Sequence, residues 1–268
     1  MTNQSFFDVG YMDTIAAGDS VLHRIDPRVK LITTVVFIAA VVSFNKYAVY
    51  SLIPFFSFPI ILILLGGLPA GYILKKVLLI LPFAVLVGIF NPVFDRSIMY
   101  QIGSVGISGG WVSFVSILLR FILTVTSALA LVALTGFNSV CLALERFKVP
   151  KPFIVQLLFL YRYMFVLTEE LERMIRARAV RSFSRRAMPF KVFASLIGHL
   201  LLRTLDRAER VYRAMCCRGF DGQLRMIRSM KMSFKDAAFM AIWVALFVSF
   251  RSWDIPAKLG GLVMRIFL

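Results

Sequence analysis

One stretch occurs twice in this chain, first as Glu172-Arg173-Met174-Ile175-Arg176-Ala177-x-x-x-Arg181-Ser182-Phe183 and again, 37 residues later, as Glu209-Arg210-Val211-Tyr212-Arg213-Ala214-x-x-x-Arg218-Gly219-Phe220. Nine of the twelve positions are identical or belong to the same residue class. Arginine-rich, solvated helix faces are the simpler explanation of such a pattern, but solvated faces rarely repeat residue by residue. The repeat therefore indicates an element that the protein uses twice.

The spacing inside each copy is typical of a helix. Each copy has an acid four residues before an arginine, the favourable order for an i,i+4 ion pair; the pairs are Glu172 with Arg176 and Glu209 with Arg213. Each copy also has an alanine one turn before a second arginine, on the same face; these are Ala177 with Arg181 and Ala214 with Arg218. The alanine allows another surface to approach, and the arginine offers that surface a planar, charged fork.

The composition is that of a membrane protein. The 268 residues are 59% hydrophobic, include 26 phenylalanines and are only 17% charged. Long apolar runs predict an all-α protein with about five transmembrane helices. We expect a membrane domain at residues 1–136, with spans at about 31–44, 47–65, 77–90 and 111–134. Pro54 and Pro59 should kink the second span. The polar pair Asp95-Arg96 should lie outside after the third span, and a glycine-rich loop should lead to the fourth. A domain with two long helices follows at 137–232, and a last span with an amphipathic tail at 233–268.

The net charge of +17 is concentrated in one segment. Residues 138–232 contain 19 Lys and Arg against 7 Asp and Glu. Such a segment is typical of the cytoplasmic side of a cell membrane, or of a surface that meets an acidic partner. The apolar run 153–167 is too short to span a membrane by itself. It continues into the first copy of the repeat without a helix breaker and predicts one helix of about 30 residues, roughly 45 Å long.

A second long helix is predicted from Phe190 to Cys217, with Gly219 as its C-terminal cap. Arg181 then lies near the connection between the two helices, and Arg218 lies at the far end of the second one. About 28 helical residues separate the arginines, which is roughly 40 Å. Two copies of one docking element, held this far apart, suit two copies of one partner.

Two other features of the membrane domain carry predictions. Asp26-Pro27-Arg28 is a helix start, with Asp26 as N-cap and Pro27 at the first helical position, and Arg28 and Lys30 place this end at the cytoplasmic membrane surface. Arg120 lies inside the fourth span. An arginine there is either functional or paired with a carbonyl, an acid or the membrane surface.

Metal, nucleotide and disulfide sites are not predicted. The three cysteines have no CxxC spacing and the two histidines are isolated in the sequence. Gly66-x4-Gly71 superficially matches a phosphate-binding loop, but Tyr72-Ile73 occupies the positions of the required Lys and Ser or Thr. We expect neither catalytic residues nor a bound cofactor.

These stretches resemble the transmembrane (T) component of energy-coupling factor (ECF) transporters. Ala177-x3-Arg181-Ser182-Phe183 and Ala214-x3-Arg218-Gly219-Phe220 are similar to the two Ala-Arg-Gly signatures of that family, with Ser182 in place of a glycine. The segment His23 to Leu31 resembles the N-terminal motif of the family. The stretches 88–95, 158–166 and 201–209 resemble its cobalt-type branch, CbiQ.

The resemblance implies a scaffold that hydrolyses nothing itself. Two cytoplasmic ATPases, which hold ATP and Mg, would bind Arg181 and Arg218, while Ala177, Ala214 and Gly219 allow close packing. A separate membrane subunit would bind the substrate, cobalt in this branch. ATP-driven movement of the ATPases would reach that subunit through the two long helices.

Three alternatives remain at this point. The same scaffold can serve a nickel or vitamin subunit, because it need not touch the substrate. A membrane-tethered nucleic-acid-binding protein would use the same basic segment, but there the basic residues alternate with apolar ones at helical spacing and are balanced by acids. A permease that carries its solute alone would need a polar path, and the spans offer only Arg120 and scattered Ser and Thr.

Overall fold

The computed structural model describes residues 11–94, 98–102, 105–181, 189–222 and 233–252. The described residues divide into two compact units. The bundle unit contains the described residues up to Val140 together with those from Ser233 onward. The two-helix unit contains the described residues from Cys141 to Gly222.

The helices account for most of the described chain, and a short hairpin is added to them. In chain order, the elements are α1 Pro27–Val42, a 3-10 helix Tyr50–Phe56, α2 Ser57–Gly66, α3 Ala70–Gly88, α4 Phe90–Phe94, strands β1 Ile98–Ile102 and β2 Val105–Ser108, α5 Gly109–Thr135, α6 Phe137–Arg146, α7 Lys151–Arg181, α8 Phe190–Cys217 and α9 Phe234–Ser252. Residues 11–16 form one further helical segment.

Contacts at both ends of α1 give the directions of three bundle helices. Lys30 contacts Leu134 and Arg120 contacts Asn45, so α1 and α5 are antiparallel. Asp26 contacts Asp236, and Arg251 contacts Ser43. The chain therefore runs in the same direction in α1 and α9, although some 200 residues separate them.

Phenylalanine rings fill the core between α1, the 3-10 helix, α2 and α9. The ring of Phe37 lies 4.6 Å from that of Phe58 and 5.3 Å from that of Phe247, measured between centroids. Trp243 contacts Phe58 edge-on at 4.9 Å. Aromatic pairs of this kind contribute about 0.5–1.5 kcal/mol each beyond the apolar area that they bury. These contacts hold the first and last helices of the bundle unit together.

The prolines of the second predicted span change the helix type. Pro54 lies in the 3-10 helix, and a regular α-helix begins only at Ser57. The hydroxyl of Ser57 donates to the carbonyl oxygen of Pro54 at 2.7 Å. Because proline cannot donate a backbone hydrogen bond, the chain adopts the tighter winding here. A kink is the expectation from these prolines, and the structure shows a change from 3-10 to α-helical winding after Pro54.

Residues 98–108 correct one expectation of the sequence. The glycine-rich stretch before the fourth span predicts a loop, but β1 and β2 form an antiparallel hairpin. Ile98 pairs with Ser108 and Ile102 with Val105, and the register shifts between Ile98 and Tyr100. Apolar residues alternate along both strands, which is compatible with a hairpin. The glycines of this stretch, however, favour the prediction of a loop.

The two-helix unit is dominated by α7, with 31 residues, and α8, with 28. Both helices were predicted from the sequence, α8 with the same bounds. Arg203 of α8 donates to Glu170 of α7 at 2.6 Å. One cavity is lined by Leu171 and Leu200 and also by Pro152 and Phe220. The beginning of α7 therefore faces the end of α8, and the two helices are antiparallel.

Three described helices are long and apolar enough to cross a membrane: Ala70–Pro92, Gly109–Thr135 and Lys151–Arg181. Tyr50–Gly66 is a shorter apolar helix. The first two contain the predicted third and fourth spans. Lys151–Arg181 contains the first predicted long helix, whose apolar run 153–167 is too short to span a membrane by itself, but the helix as a whole is long and apolar enough to do so. The helices of the first and last predicted spans, α1 and α9, have 16 and 19 residues. The prediction of an all-α membrane protein is confirmed, with the hairpin as an addition.

Some predicted features lie outside the described residues. These are Ser182 of the first signature, the polar pair Asp95-Arg96 and the amphipathic tail with Lys258 and Arg265.

Candidate partner-docking interface

The two signature arginines lie at opposite ends of the α7–α8 pair. Arg181 is the last described residue of α7, Arg218 caps the C-terminus of α8, and both are exposed. Along α7, Arg181 is 11 residues beyond Glu170, about 16 Å, and along α8, Arg218 is 15 residues beyond Arg203, about 22 Å. Glu170 and Arg203 are in contact, and the helices are antiparallel. Arg181 and Arg218 therefore lie in opposite directions from this contact.

The end of α8 is a fully hydrogen-bonded helix cap. The amide of Phe220 donates to the carbonyl oxygen of Met215 at 3.0 Å, and the amide of Gly219 donates to that of Cys216 at 3.0 Å. This double pattern is the Schellman motif, which requires a left-handed residue after the cap. Gly219 supplies that residue, with φ of +78°. The cap fixes the backbone that carries Arg218.

The small residues of both signatures are open to approach. Ala177 and Ala214 are exposed, each one turn before its arginine. No atom lies within 4 Å of a Cβ built on Gly219. A partner can therefore approach the backbone next to Arg218. Ser182, the matching position of the first signature, lies outside the described residues.

The predicted i,i+4 ion pairs are formed on both helices. Arg176 lies 3.3 Å from Glu172 on α7, and Arg213 is paired with Glu209 on α8. Exposed pairs of this kind contribute only about 0.3–0.5 kcal/mol each. The main consequence of these pairs is that four charged side chains of the repeat are already paired with an opposite charge on the same helix. The signature arginines Arg181 and Arg218 have no carboxylate partner among the described residues.

The α7–α8 pair also presents a large apolar surface. None of the 28 residues of α8 is buried. Two apolar cavities, of about 780 and 420 Å³, share the side chains of Phe159, Tyr163, Leu167 and Phe220. Phe193, Leu201 and Leu205 of α8 are 45, 57 and 59% exposed. Contiguous exposed apolar surface of this kind marks a membrane-facing or partner-facing side.

The N-terminal motif ties together the ends of three bundle helices. Asp26 caps α1 by accepting from the amide of Arg28 at 2.9 Å, as predicted. Its own amide donates to a carboxylate oxygen of Asp236, at the start of α9, at 3.2 Å. Lys30 donates from Nζ to the carbonyl oxygen of Leu134, at the end of α5, at 3.0 Å. All three side chains are buried.

His23 is the first residue of this motif and contacts the residues that precede it. Its Nδ1 lies 2.7 Å from the hydroxyl of Ser20, and its Nε2 lies 3.0 Å from the carbonyl oxygen of Ile15. A carbonyl can only accept, so Nε2 carries the proton and Nδ1 accepts from Ser20 in the neutral ring. Burial lowers the pKa of His23, and the charge of Lys30 acts in the same direction.

Arg120 is paired with a backbone carbonyl. It donates from its terminal nitrogen to the carbonyl oxygen of Asn45, in the turn after α1. Of the alternatives that the sequence leaves open for an arginine in a span, the structure shows this pairing. Its Nε is buried and has no acceptor.

Two of these contacts are not predicted from the sequence: that of Asp236 with the N-terminal motif and that of Glu170 with Arg203. Asp236 also accepts from the amide of Ser233 at 2.8 Å, which is one of the two bonds of a capping box, and the Ser-x-x-Asp spacing was visible in the sequence. The pair of Glu170 and Arg203 has no such signal, because its members are 33 residues apart on different helices.

Comparison with known proteins gives consistent results. Residues 18–230 match a family model, CbiQ, described as "Cobalt transport protein". An uncharacterized protein of Methanocaldococcus jannaschii is 30% identical over 82% of this chain and 78% of its own length. Proteins named "Energy-coupling factor transporter transmembrane protein EcfT" are 28% identical in Bacillus subtilis, over 76% of this chain and 82% of the relative, and in Streptococcus thermophilus, over 76% and 83%.

Proposed function

Since this chain belongs to the CbiQ family of cobalt transport proteins, we propose that it is the energy-coupling transmembrane subunit of an ECF importer. In this proposal, α7 and α8 are coupling helices that receive movement from two cytoplasmic ATPases and pass it to a substrate-binding membrane subunit. The chain itself hydrolyses nothing, and ATP and Mg bind to the ATPases.

The position of the two signature arginines carries the proposal. They occupy equivalent positions in a repeated sequence, are both exposed and lie at opposite ends of one antiparallel helix pair. A dimer of ATPases offers two equivalent binding grooves, so one arginine can enter each groove. A charge-assisted hydrogen bond between an arginine and a carboxylate contributes about 1.5–3 kcal/mol, enough to make each contact important.

The apolar surface of the same helices suits the second partner. A substrate-binding membrane subunit has apolar helices of its own, and the exposed side chains of α8 include Phe193, Leu201 and Leu205. In this arrangement, the C-terminal end of α8 binds an ATPase and the apolar side of the same helix packs against the substrate subunit. Movement of one partner is in this way transmitted to the other.

The family description supports cobalt as the transported ion, which the substrate subunit and not this chain would bind. A nickel or vitamin subunit is the second candidate, because the relatives named EcfT carry no substrate in their names. The excess of Lys and Arg in the segment 138–232 supports a position of the coupling helices at the cytoplasmic side of the cell membrane. Cobalt uptake by cells that express the whole transporter, compared with nickel uptake, distinguishes the two ions.

Co-purification with the ATPases tests the proposal. The double variant Arg181→Glu/Arg218→Glu is expected to lose the ATPases while its amount in the membrane stays unchanged. Arg173→Glu/Arg210→Glu is the matched control, because it makes the same charge change at equivalent positions of both repeats. Full retention of the ATPases by the first variant, or equal loss in both, would contradict docking through the signature arginines. Purified alone, the chain is expected to show neither ATPase activity nor tight cobalt binding.

A further inference from the structure

Two arginines from different helices converge on the residues that follow α1. Arg120 of α5 donates to the carbonyl oxygen of Asn45. Arg251 of α9 lies 3.4 Å from the carbonyl oxygen and 3.5 Å from the hydroxyl of Ser43. Because α1 ends at Val42, both guanidinium groups lie at its negative, C-terminal end.

Neutral groups are the acceptors of both side chains. Neither Arg120 nor Arg251 has a carboxylate partner in the part of the chain that the structure describes. A guanidinium has five N–H donors, and each arginine uses few of them here. The Nε of Arg120 is buried and has no acceptor, while Arg251 is exposed, with its guanidinium 4.7 Å from the centroid of the Phe44 ring.

This cluster lies at the end of the bundle unit opposite to Lys30. The contact of Lys30 with Leu134 and that of Arg120 with Asn45 are 14 residues apart along α5, about 21 Å. Between the contact of Lys30 and the turn after Val42, α1 contains no charged residue. The turn at residues 43–47 contains Ser, Asn and Lys, which indicates that the chain reaches a membrane surface there. A cation at the border of the hydrocarbon region is stable only if an anion or water meets it.

We propose that Arg120 and Arg251 together bind the phosphate of an anionic phospholipid headgroup. Two guanidinium groups held at the same helix end can donate to the oxygens of a phosphodiester through the N–H groups that they do not use here, whereas neutral carbonyl oxygens leave both charges uncompensated. The backbone contacts to Ser43 and Asn45 fix the position of both side chains before the lipid binds. The inference does not depend on the transport function.

Lipid-dependent stability of the purified protein in a neutral detergent tests this site. Added phosphatidylglycerol is expected to raise the Tm of the wild type in a saturable manner. The double variant Arg120→Gln/Arg251→Gln is expected to bind the lipid about tenfold more weakly or worse, since both charge-assisted contacts are lost. Lys75→Gln, which removes an exposed cation of α3 in the same unit, is the control and is expected to keep the wild-type affinity. Equal affinity of the double variant and the wild type would overturn the proposal.

Two further arms identify the source of the phosphate and exclude misfolding. Inorganic phosphate at the same concentration is expected to give no shift in Tm, and a shift equal to that of the lipid would show a free-anion site instead. Phosphatidylcholine has the same phosphodiester, but its choline cation cancels the net charge of the headgroup. It is therefore expected to bind more weakly than phosphatidylglycerol, and equal binding would contradict a site for anionic lipids. If the double variant does not elute as a single species, the lipid affinity of the single variant Arg251→Gln is measured instead. The side chain of Arg251 is exposed, so its replacement does not open the core. An unchanged lipid affinity of that variant would contradict the site.

Discussion

The side chain of Lys30 donates a hydrogen bond to the carbonyl oxygen of Leu134 at 3.0 Å, across 104 residues of sequence. Its Nζ also lies 3.4 Å from the carbonyl oxygen of His23. Leu134 lies in the last turn of α5, where carbonyl groups have no partner within the helix. The ammonium group thus satisfies a buried helix end, and the partial negative charge of that end stabilises the ammonium group.

Replacing Lys30 is expected to destabilise the bundle unit. Lys30→Met keeps the apolar part of the side chain but leaves the carbonyl of Leu134 buried without this donor, which costs about 1–3 kcal/mol. Thermal unfolding in detergent measures the effect. Lys75→Met is the control, and its exposed side chain predicts a change below about 0.5 kcal/mol. Equal Tm values of the two variants would show that the contact does not stabilise the fold.

The single docking variants are expected to be milder than the double one. With Arg181→Glu or Arg218→Glu, one of the two contacts to an ATPase dimer remains, so the complex should weaken but persist. Affinity measured by titration of the purified ATPases should fall in both single variants and fall much further in the double. A single variant as severe as the double would mean that the two sites are not independent.

Replacing Gly219 is expected to destabilise the C-terminal cap of α8. An alanine at φ of +78° costs about 1–2 kcal/mol, because its Cβ approaches the carbonyl oxygen. Gly219→Ala should therefore distort the cap beside Arg218 and weaken ATPase binding. Gly198→Ala is the matched control within α8, since a Cβ there meets no atom within 4 Å and the backbone is helical. We expect the control to keep binding and to be as stable as the wild type or more so; weaker binding in the control alone would be inconsistent with this role of the cap.

The three cysteines are expected to differ in reactivity. Cys216 and Cys217 are exposed, whereas Cys141 is buried and its pKa is raised to about 11 by that burial. At pH 8, only about one part in a thousand of the Cys141 thiol is then ionised. A maleimide should label two thiols quickly and the third only after denaturation. Cys141→Ser should leave the number of fast-reacting thiols unchanged, and a third fast-reacting thiol in the native wild type would contradict the burial.

His23 is expected to make stability depend on pH. Its pKa is lowered in the folded protein, mainly by burial, so protonation favours the unfolded chain. This contribution to stability is present above the unfolded pKa, about 6.5, and is lost as the pH falls through the lower folded pKa. Unfolding followed between pH 7 and pH 5 should show a smaller decline for His23→Gln than for the wild type. His199→Gln, which changes an exposed histidine of α8, should decline as the wild type does.

Helix positions could be predicted well wherever local signals decide them. Apolar runs, Asp26-Pro27 at the start of α1 and Gly219 at the end of α8 act within a few residues of their position. The hairpin at 98–108 was missed because glycine permits loop and strand alike, and the choice depends on the pairing of two strands. The position of both signature arginines also followed from the sequence, since it depends only on where two long helices end.

The sequence by itself determined the all-α membrane class, the two long helices and the repeated signature with its ion pairs, because periodicity, caps and charge are local properties of the chain. Only the tertiary structure decided that Lys30 meets Leu134, that Asp236 meets Asp26, and that Arg120 and Arg251 share one helix end. These contacts join residues up to 210 positions apart. Which helix ends become neighbours depends on how the aromatic core packs all the helices at once, and no local pattern records that outcome.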